Sequence, residues 1–140
     1  MARRRHLSRI AVMQVLFERE RRPEVQPEVA LLRNAEELGS IDVPFASGLL
    51  QGILLHEGEL RHLVQQHAPG WTPERMDPIA RAVLLLGSYE LTCTKDVPPA
   101  VVINEAIEMS KEYCTEESGK FVNGVLNAIA HRDTLQSPHV

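Results

Sequence analysis

The stretch that decides the fold runs from residue 96 to residue 129 and reads DVPPAVVINEAIEMSKEYCTEESGKFVNGVLNAI. Apolar residues recur every three to four positions on both sides of its acidic centre, which predicts two amphipathic helices joined by a short loop. Pro98 and Pro99 suit the start of the first helix, where a missing N–H is not needed. The apolar positions are Val102, Ile103, Ala106, Ile107 and Tyr113 in the first helix, and Phe121, Val122, Val125, Leu126 and Ile129 in the second.

One dipeptide within this stretch favours a different structure. Asn123–Gly124 is typical of a β-hairpin turn. The residues on either side do not alternate between apolar and polar, as half-buried paired strands would, so the helical spacing outweighs the dipeptide. Gly124 is then expected to allow two helices to approach closely, although glycine costs about 1 kcal/mol of helix propensity relative to alanine.

The rest of the chain predicts helices as well. A flexible arm at residues 1–5 is expected to lead into a helix that ends near residue 20. Further helices are expected from Pro27 to before Gly39, and from Pro44 to His67. From Ile79 to Leu91 almost every residue is apolar, which indicates a helix that is buried on most sides.

These elements predict an all-α protein. The break at Ala68–Pro69–Gly70 separates two packed, three-helix-like halves, at about 1–68 and 71–133. Together they are expected to form one domain over residues 1–133. The short polar segment 134–140 is expected to be a disordered tail.

The composition indicates a globular cytoplasmic protein. A chain of 140 residues with 44% hydrophobic residues fits one domain that needs neither disulfide nor metal to fold. No apolar run approaches the roughly 20 residues of a membrane span, so no membrane partner is expected. Cys93 and Cys114 are isolated from each other and are expected to be reduced thiols.

The charge is distributed unevenly along the chain. Residues 1–22 contain seven arginines against two glutamates, a net charge of +5, whereas the remaining residues carry −9. A basic segment on an acidic body indicates contact with nucleic acid or a membrane surface, and a solvated basic tail is the alternative. Arg5 and Arg9 share one helix face. An anion bound at that helix N-terminus would relieve the repulsion between the arginines and the helix dipole.

The sequence shows no catalytic motif, and the carboxylates of Glu105, Glu108 and Glu112 lie on the predicted solvated face of a helix. His56, His62 and His67 lack the spacing of metal ligands. These observations predict a binding module that has no metal or cofactor and is not an enzyme.

The opening stretch also carries a resemblance. INEAIEMSKEY, a short acidic loop and KFVNGVLNAI closely resemble the C-terminal signature of the NusB family of bacterial transcription antitermination factors. The pattern of Arg9, Gln14, Leu16 and Phe17 is similar to the first helix of that family, and RAVLLLGSYEL also resembles it. The resemblance implies a NusB-like helical bundle that binds single-stranded boxA RNA together with the ribosomal protein NusE. With other Nus factors it would help RNA polymerase read through terminators, notably in ribosomal RNA operons.

The resemblance also assigns residues to these contacts. His6 stands where many members have a basic residue, and Ala80 stands where many have an acidic partner contact, so both contacts are expected to be weaker. Phe121 would stack on an unpaired base if it is partly exposed, and a purely structural role in the core is the alternative. The assigned residues are Arg3, Arg4, Arg5, Arg9, Lys120, Phe121 and Asn123 for RNA, Glu117 as organiser of the RNA site, and Phe17, Glu74 and Arg81 for the protein partner.

Two alternatives stay open at this stage. The chain could be a helical protein-interaction or self-associating domain, such as a homodimer, without specific RNA binding. It could also be a stand-alone relative of the RNA-binding domain that is fused to some RNA cytosine methyltransferases, although it has no room for the methyltransferase domain itself.

Overall fold

Helices and short connections make up the described part of the chain. The computed structural model describes residues 2–70 and 72–136, and no strand occurs among them, which confirms the all-α prediction. The predicted tail lies partly outside this range, at 137–140, whereas residues 134–136 belong to the last helix. The elements are α1 (Ala2–Arg21), α2 (Pro27–Leu38), α3 (Val43–Leu55), α4 (Glu57–Gln66), a 3₁₀ turn (Pro73–Arg75), α5 (Pro78–Cys93), α6 (Pro99–Tyr113) and α7 (Glu116–Gln136).

The chain divides into two compact units, Met1–His56 and Glu57–Val140. This division differs from the predicted halves at 1–68 and 71–133, because the single helix predicted from Pro44 to His67 is in fact two helices. His56 ends α3 with φ −109° and ψ 19°, which departs from helical geometry, while its N–H still bonds to the Gly52 carbonyl at 3.1 Å. The next helix, α4, packs against α5 and therefore belongs to the second unit.

In the first unit, α1 packs against α2 and α3. The middle of α1 is buried over more than one face, since Ala11, Val12 and Met13 follow one another and are each 0% exposed. Residues such as Leu31 of α2 and Leu50 of α3 are likewise fully buried. The expectation of a flexible arm is wrong for residues 2–5, because α1 already begins at Ala2, and Met1 lies outside the described residues.

In the second unit, α5 is the central helix, in agreement with its apolar sequence, and α4, α6 and α7 all pack against it. Asp77 caps its start, accepting a hydrogen bond from the Ile79 N–H at 2.8 Å, and Pro78 occupies its first turn. Leu84 and Leu86 of α5 are almost completely buried, as is Leu126 of α7. This packing positions the α6–α7 loop beside the first turn of α5.

The close approach between helices occurs at Gly87 rather than at Gly124. A Cβ atom on Gly87 would lie 2.8 Å from Cδ1 and 3.1 Å from Cδ2 of the buried Leu126 side chain. A Cβ atom on Gly124 would meet nothing within 4 Å, and Gly124 is exposed. The expectation that Gly124 permits a close helix crossing is therefore wrong.

This difference between the two glycines predicts opposite responses to substitution. Gly87→Val should lower the free energy of unfolding by about 1–2 kcal/mol, since overpacking against Leu126 outweighs the gain in helix propensity. Gly124→Val is the matched control and should leave stability within about 0.5 kcal/mol, as is usual for surface positions. Urea denaturation followed by circular dichroism measures both values. Equal effects at the two positions would contradict the assignment of the close contact to Gly87.

Candidate nucleic-acid interface

The first turn of α1 presents a cluster of exposed positive charge. Arg3, Arg4 and Arg5 are exposed, His6 is half-buried, and the turn contains no acidic residue. The Arg4 guanidinium donates a hydrogen bond to the Ile41 carbonyl at 3.3 Å, which ties the start of the helix to the segment before α3. The N–H groups at a helix N-terminus and these guanidinium groups together favour the binding of an anion.

A short hydrogen-bond network holds this turn in place. The Ser8 hydroxyl donates to the Arg4 carbonyl at 2.6 Å and accepts from the Asp42 N–H at 2.8 Å. The Asp42 carboxylate in turn accepts from the Phe45 N–H at 3.2 Å and so caps α3. These bonds link residues 34 positions apart. The basic turn is consequently a formed part of the first unit.

Two of the predicted arginines meet an aromatic ring from α3. The Arg5 guanidinium carbon lies 4.4 Å from the centroid of the Phe45 ring, and that of Arg9 lies 5.1 Å from it. Both distances are within the range of cation–π attraction. Arg9 is only 3% exposed, unlike the exposed Arg5. The structure thus places Arg9 inside the first unit, beside the Phe45 ring, rather than facing solvent.

In the second unit, the start of α7 contains the other residues that were predicted to contact RNA. Thr115 precedes the helix, and its hydroxyl accepts a hydrogen bond from the Ser118 N–H at 3.0 Å, as an N-cap does. Glu117, Lys120 and Asn123 are all exposed. The acidic residue in the first turn suits the positive end of the helix dipole.

Phe121 lies at the edge of a cavity of about 230 Å³ in the second unit. Its ring is half-buried, which satisfies the condition of partial exposure for base stacking. A water molecule occupies about 30 Å³ in the liquid, so the cavity can take a group the size of a ring. The lining residues are Arg75, Met76, Asp77, Ala80, Thr115, Glu117, Ser118 and Phe121.

Cys114 connects two walls of this cavity. Its thiol donates a hydrogen bond to the Asp77 carboxylate at 3.0 Å, joining the C-terminal end of α6 to the cap of α5. Burial, followed by the hydrogen bond and negative charge of Asp77, raises the pKa of the Cys114 thiol to about 11. The group therefore stays protonated at neutral pH and remains a donor to Asp77.

The three residues predicted to contact a protein partner are distributed over both units. Phe17, in the first unit, is half-buried, with the Arg21 guanidinium carbon 5.3 Å from its ring centroid. Glu74, in the second unit, is exposed in the 3₁₀ turn. Arg81 is half-buried and donates to the Met76 carbonyl at 2.9 Å. Its neighbour Ala80 is 2% exposed and lines the cavity beside Phe121.

The structure adds residues that the sequence did not identify as part of the site. Ser8, Asp42 and Phe45 support the basic turn of α1, and Arg75 and Asp77 line the cavity at Phe121. Asp42 and Asp77 were detectable only as helix caps, because each precedes the first turn of a helix that contains proline. No local sequence pattern indicated that Phe45 belongs to the site.

The described residues also bear on two other kinds of site. Among residues 2–70 and 72–136, no helix is both long and apolar enough to cross a membrane. Within the same ranges, His, Cys, Asp and Glu side chains do not gather in threes as a metal site requires.

Comparison with known proteins identifies the family. A model of the NusB family matches residues 6–131. The chain belongs to the NusB family. A transcription antitermination protein NusB from Desulfitobacterium hafniense is 40% identical over 128 residues, which cover 89% of this chain and 86% of the relative. Another from Saccharopolyspora erythraea is 41% identical over 131 residues, covering 90% of this chain and 86% of the relative.

Solved NusB structures confirm the NusB-like fold. NusB from T. maritima is 37% identical and superposes with a TM-score of 0.79, covering 89% of each chain. A crystal structure of the antitermination factors NusB and NusE in complex with double-stranded RNA matches with a TM-score of 0.83 and 29% identity. That match covers 94% of this chain and 99% of the solved one. The family predicted from the signature between residues 96 and 129 is thus confirmed.

Proposed function

We propose that this NusB-family chain is a transcription antitermination factor that binds single-stranded boxA-type RNA together with the ribosomal protein NusE. In this role it joins other Nus factors on RNA polymerase and promotes read-through, notably in ribosomal RNA operons. The relatives in its family are transcription antitermination proteins, and one solved relative is complexed with NusE and RNA. The protein would act in the cytoplasm, where nascent RNA is made.

The observation that carries the proposal is the ordered basic turn of α1. Arg3, Arg4 and Arg5 are exposed together, and the bond from Arg4 to Ile41 and the Ser8–Asp42 link hold their helix in place. Phosphate groups are the natural ligands of guanidinium clusters, because planar N–H donors match their oxygens. We assign phosphate contacts to these three arginines and to Lys120.

The start of α7 supplies the base-contacting part of the proposal. Phe121 offers a half-buried ring on which an unpaired base can stack, and Asn123, two residues further along α7, offers an exposed amide. Asn123 already accepts a hydrogen bond from the Asn127 amide at 2.5 Å through its side-chain oxygen, which leaves its own N–H₂ group oriented. Glu117 repels phosphate, so it organises the site and limits where the RNA backbone lies.

The same proposal holds that the chain acts by binding and not by catalysis. For NusE we assign the contacts to Phe17, Glu74 and Arg81, of which Glu74 is the most exposed to a partner. A domain that only binds proteins or self-associates as a homodimer is the competing function, and it predicts no saturable RNA binding. A stand-alone relative of the methyltransferase-linked domain predicts RNA binding that NusE does not strengthen.

A titration of the chain against a fluorescently labelled boxA-type RNA oligonucleotide tests the function. Four phosphate contacts should give a log–log slope of affinity against salt near −3, at about 0.7 per phosphate for single strands. Adding NusE should tighten binding to the boxA-type sequence more than to a scrambled oligonucleotide of the same composition. Fluorescence anisotropy measures both. An absence of saturable binding, with and without NusE, would refute the RNA function.

A further inference from the structure

The contact between α1 and Phe45 has no role in the function proposed so far. Phe45 lies in the first turn of α3 and is half-buried, so part of its ring faces outward. It is far from Arg5 in sequence, yet the Arg5 guanidinium carbon lies 4.4 Å from its ring centroid. This distance is shorter than the 5.1 Å from Arg9 to the same ring and the 5.3 Å from Arg21 to the Phe17 ring.

The backbone that carries the ring is held in place independently of RNA. The Phe45 N–H is held by the Asp42 carboxylate at 3.2 Å, and the Asp42 N–H is held by the Ser8 hydroxyl at 2.8 Å. The ring is therefore attached to a capped helix start that is itself bonded to α1. The buried Arg9 guanidinium, 5.1 Å from the same centroid, gives the ring a second cationic neighbour.

An unrestrained arginine has many rotamers, and fixing it on a phosphate costs side-chain entropy. An aromatic face that already holds the guanidinium reduces that loss, because a group ordered before binding has less freedom to lose. A ring also attracts the cation without neutralising it, so the charge stays available to an anion. An acidic neighbour would order the side chain but cancel its charge.

We propose that Phe45 is a positioning residue of the RNA interface, whose ring holds the Arg5 guanidinium in place for an RNA phosphate. This inference rests on the proposed RNA function and adds a residue to it. Arg9 acts from the buried side, where its contact with the same ring supports the ring's position.

Measuring RNA affinity for Phe45→Leu, Phe45→Tyr, Arg5→Ala and the Arg5→Ala/Phe45→Leu double variant tests the role. Phe45→Leu should weaken binding about two- to fivefold, the equivalent of ~0.5–1 kcal/mol for an exposed cation–π contact. Phe45→Tyr keeps the aromatic face and should bind like the unmodified chain. In the Arg5→Ala background, Phe45→Leu should have no further effect, since the two residues act through one contact.

Two further measurements separate positioning from a loss of folding. Thermal unfolding of Phe45→Leu shows whether the fold is retained, and Leu55→Ala, a truncation of a 79% exposed side chain at the other end of α3, is the matched control with unchanged affinity. NMR of the free protein should show the Arg5 side-chain Nε–H resonance shifted by the Phe45 ring current. That shift should disappear in Phe45→Leu and persist in Phe45→Tyr.

The outcomes distinguish this inference from the function on which it rests. Unchanged affinity in Phe45→Leu, or an equal loss with and without Arg5, would overturn the positioning role while the RNA function stands. A ring-current shift that is absent from the unmodified chain would also overturn it. Failure of the unmodified chain to bind the oligonucleotide would remove the RNA function, and this inference with it.

Discussion

Replacing both Arg4 and Arg5 with alanine should weaken the binding of every RNA sequence by about 25-fold at 0.1 M salt and flatten its salt dependence. Each phosphate contact to a single strand contributes about 0.7 to the log–log slope, so losing two contacts should change the slope from about −3 to about −1.5. The loss should be uniform across sequences because phosphate contacts do not read bases. Salt titrations of the labelled boxA-type and scrambled oligonucleotides measure both quantities.

The matched control for this variant lies at the other end of the same helix. Arg21→Ala/Arg22→Ala removes the same charge from the last residue of α1 and the residue after it, where the Arg22 guanidinium lies 4.0 Å from the Glu18 carboxylate. The 20 residues of α1 span about 30 Å, whereas the screening length at 0.1 M salt is about 10 Å. The control should therefore change RNA affinity much less. Equal losses would mean that net charge, and not the first turn of α1, determines RNA affinity.

Phe121→Leu should weaken RNA binding by about 5- to 150-fold, the equivalent of the ~1–3 kcal/mol that base stacking on an aromatic side chain contributes. The salt slope should not change, because no charge is removed. This distinguishes the variant from the arginine variants, which alter the slope. Anisotropy titrations at several salt concentrations provide both values from one data set.

Phe121→Tyr is the matched control, since it keeps the ring and should keep the affinity. The free energy of unfolding of Phe121→Leu should fall by no more than about 1.5 kcal/mol, the usual limit for an apolar exchange of similar size. A variant that loses stability but binds RNA with undiminished affinity would support the alternative in which Phe121 only fills the core.

Most helices could be predicted from the sequence because their apolar residues repeat at helical spacing. The amphipathic pairs of α6 and α7 and the apolar run of α5 carry this signal directly. The break between α3 and α4 was missed because the apolar spacing continues from Ile53 to Leu60, two helical turns apart, with no proline at the break. His56 departs from helical geometry, and the α4 helix that follows packs against α5, a contact that no local pattern reveals.

The sequence predicted the charged residues of the candidate site but not the contacts that hold them in place. A run of arginines and a signature loop are visible in a linear sequence. The contacts of Ser8 with Asp42 and of Arg4 with Ile41 join residues 34 and 37 positions apart, and only the fold brings them together. The close approach between helices was expected at Gly124 but occurs at Gly87 for a similar reason. Whether a glycine faces a neighbouring helix or solvent depends on the helix rotation in the packed unit.

The helical first turn of α1 has a consequence for the thermodynamics of complex formation. Folding a flexible five-residue arm on the RNA would cost about 1–2 kcal/mol per residue in backbone entropy. It would also add the negative heat-capacity change that accompanies coupled folding and binding. Because this turn is already helical and bonded to α3, neither contribution arises from it. Calorimetry of the complex should then report the RNA contacts themselves, with association governed by electrostatic steering.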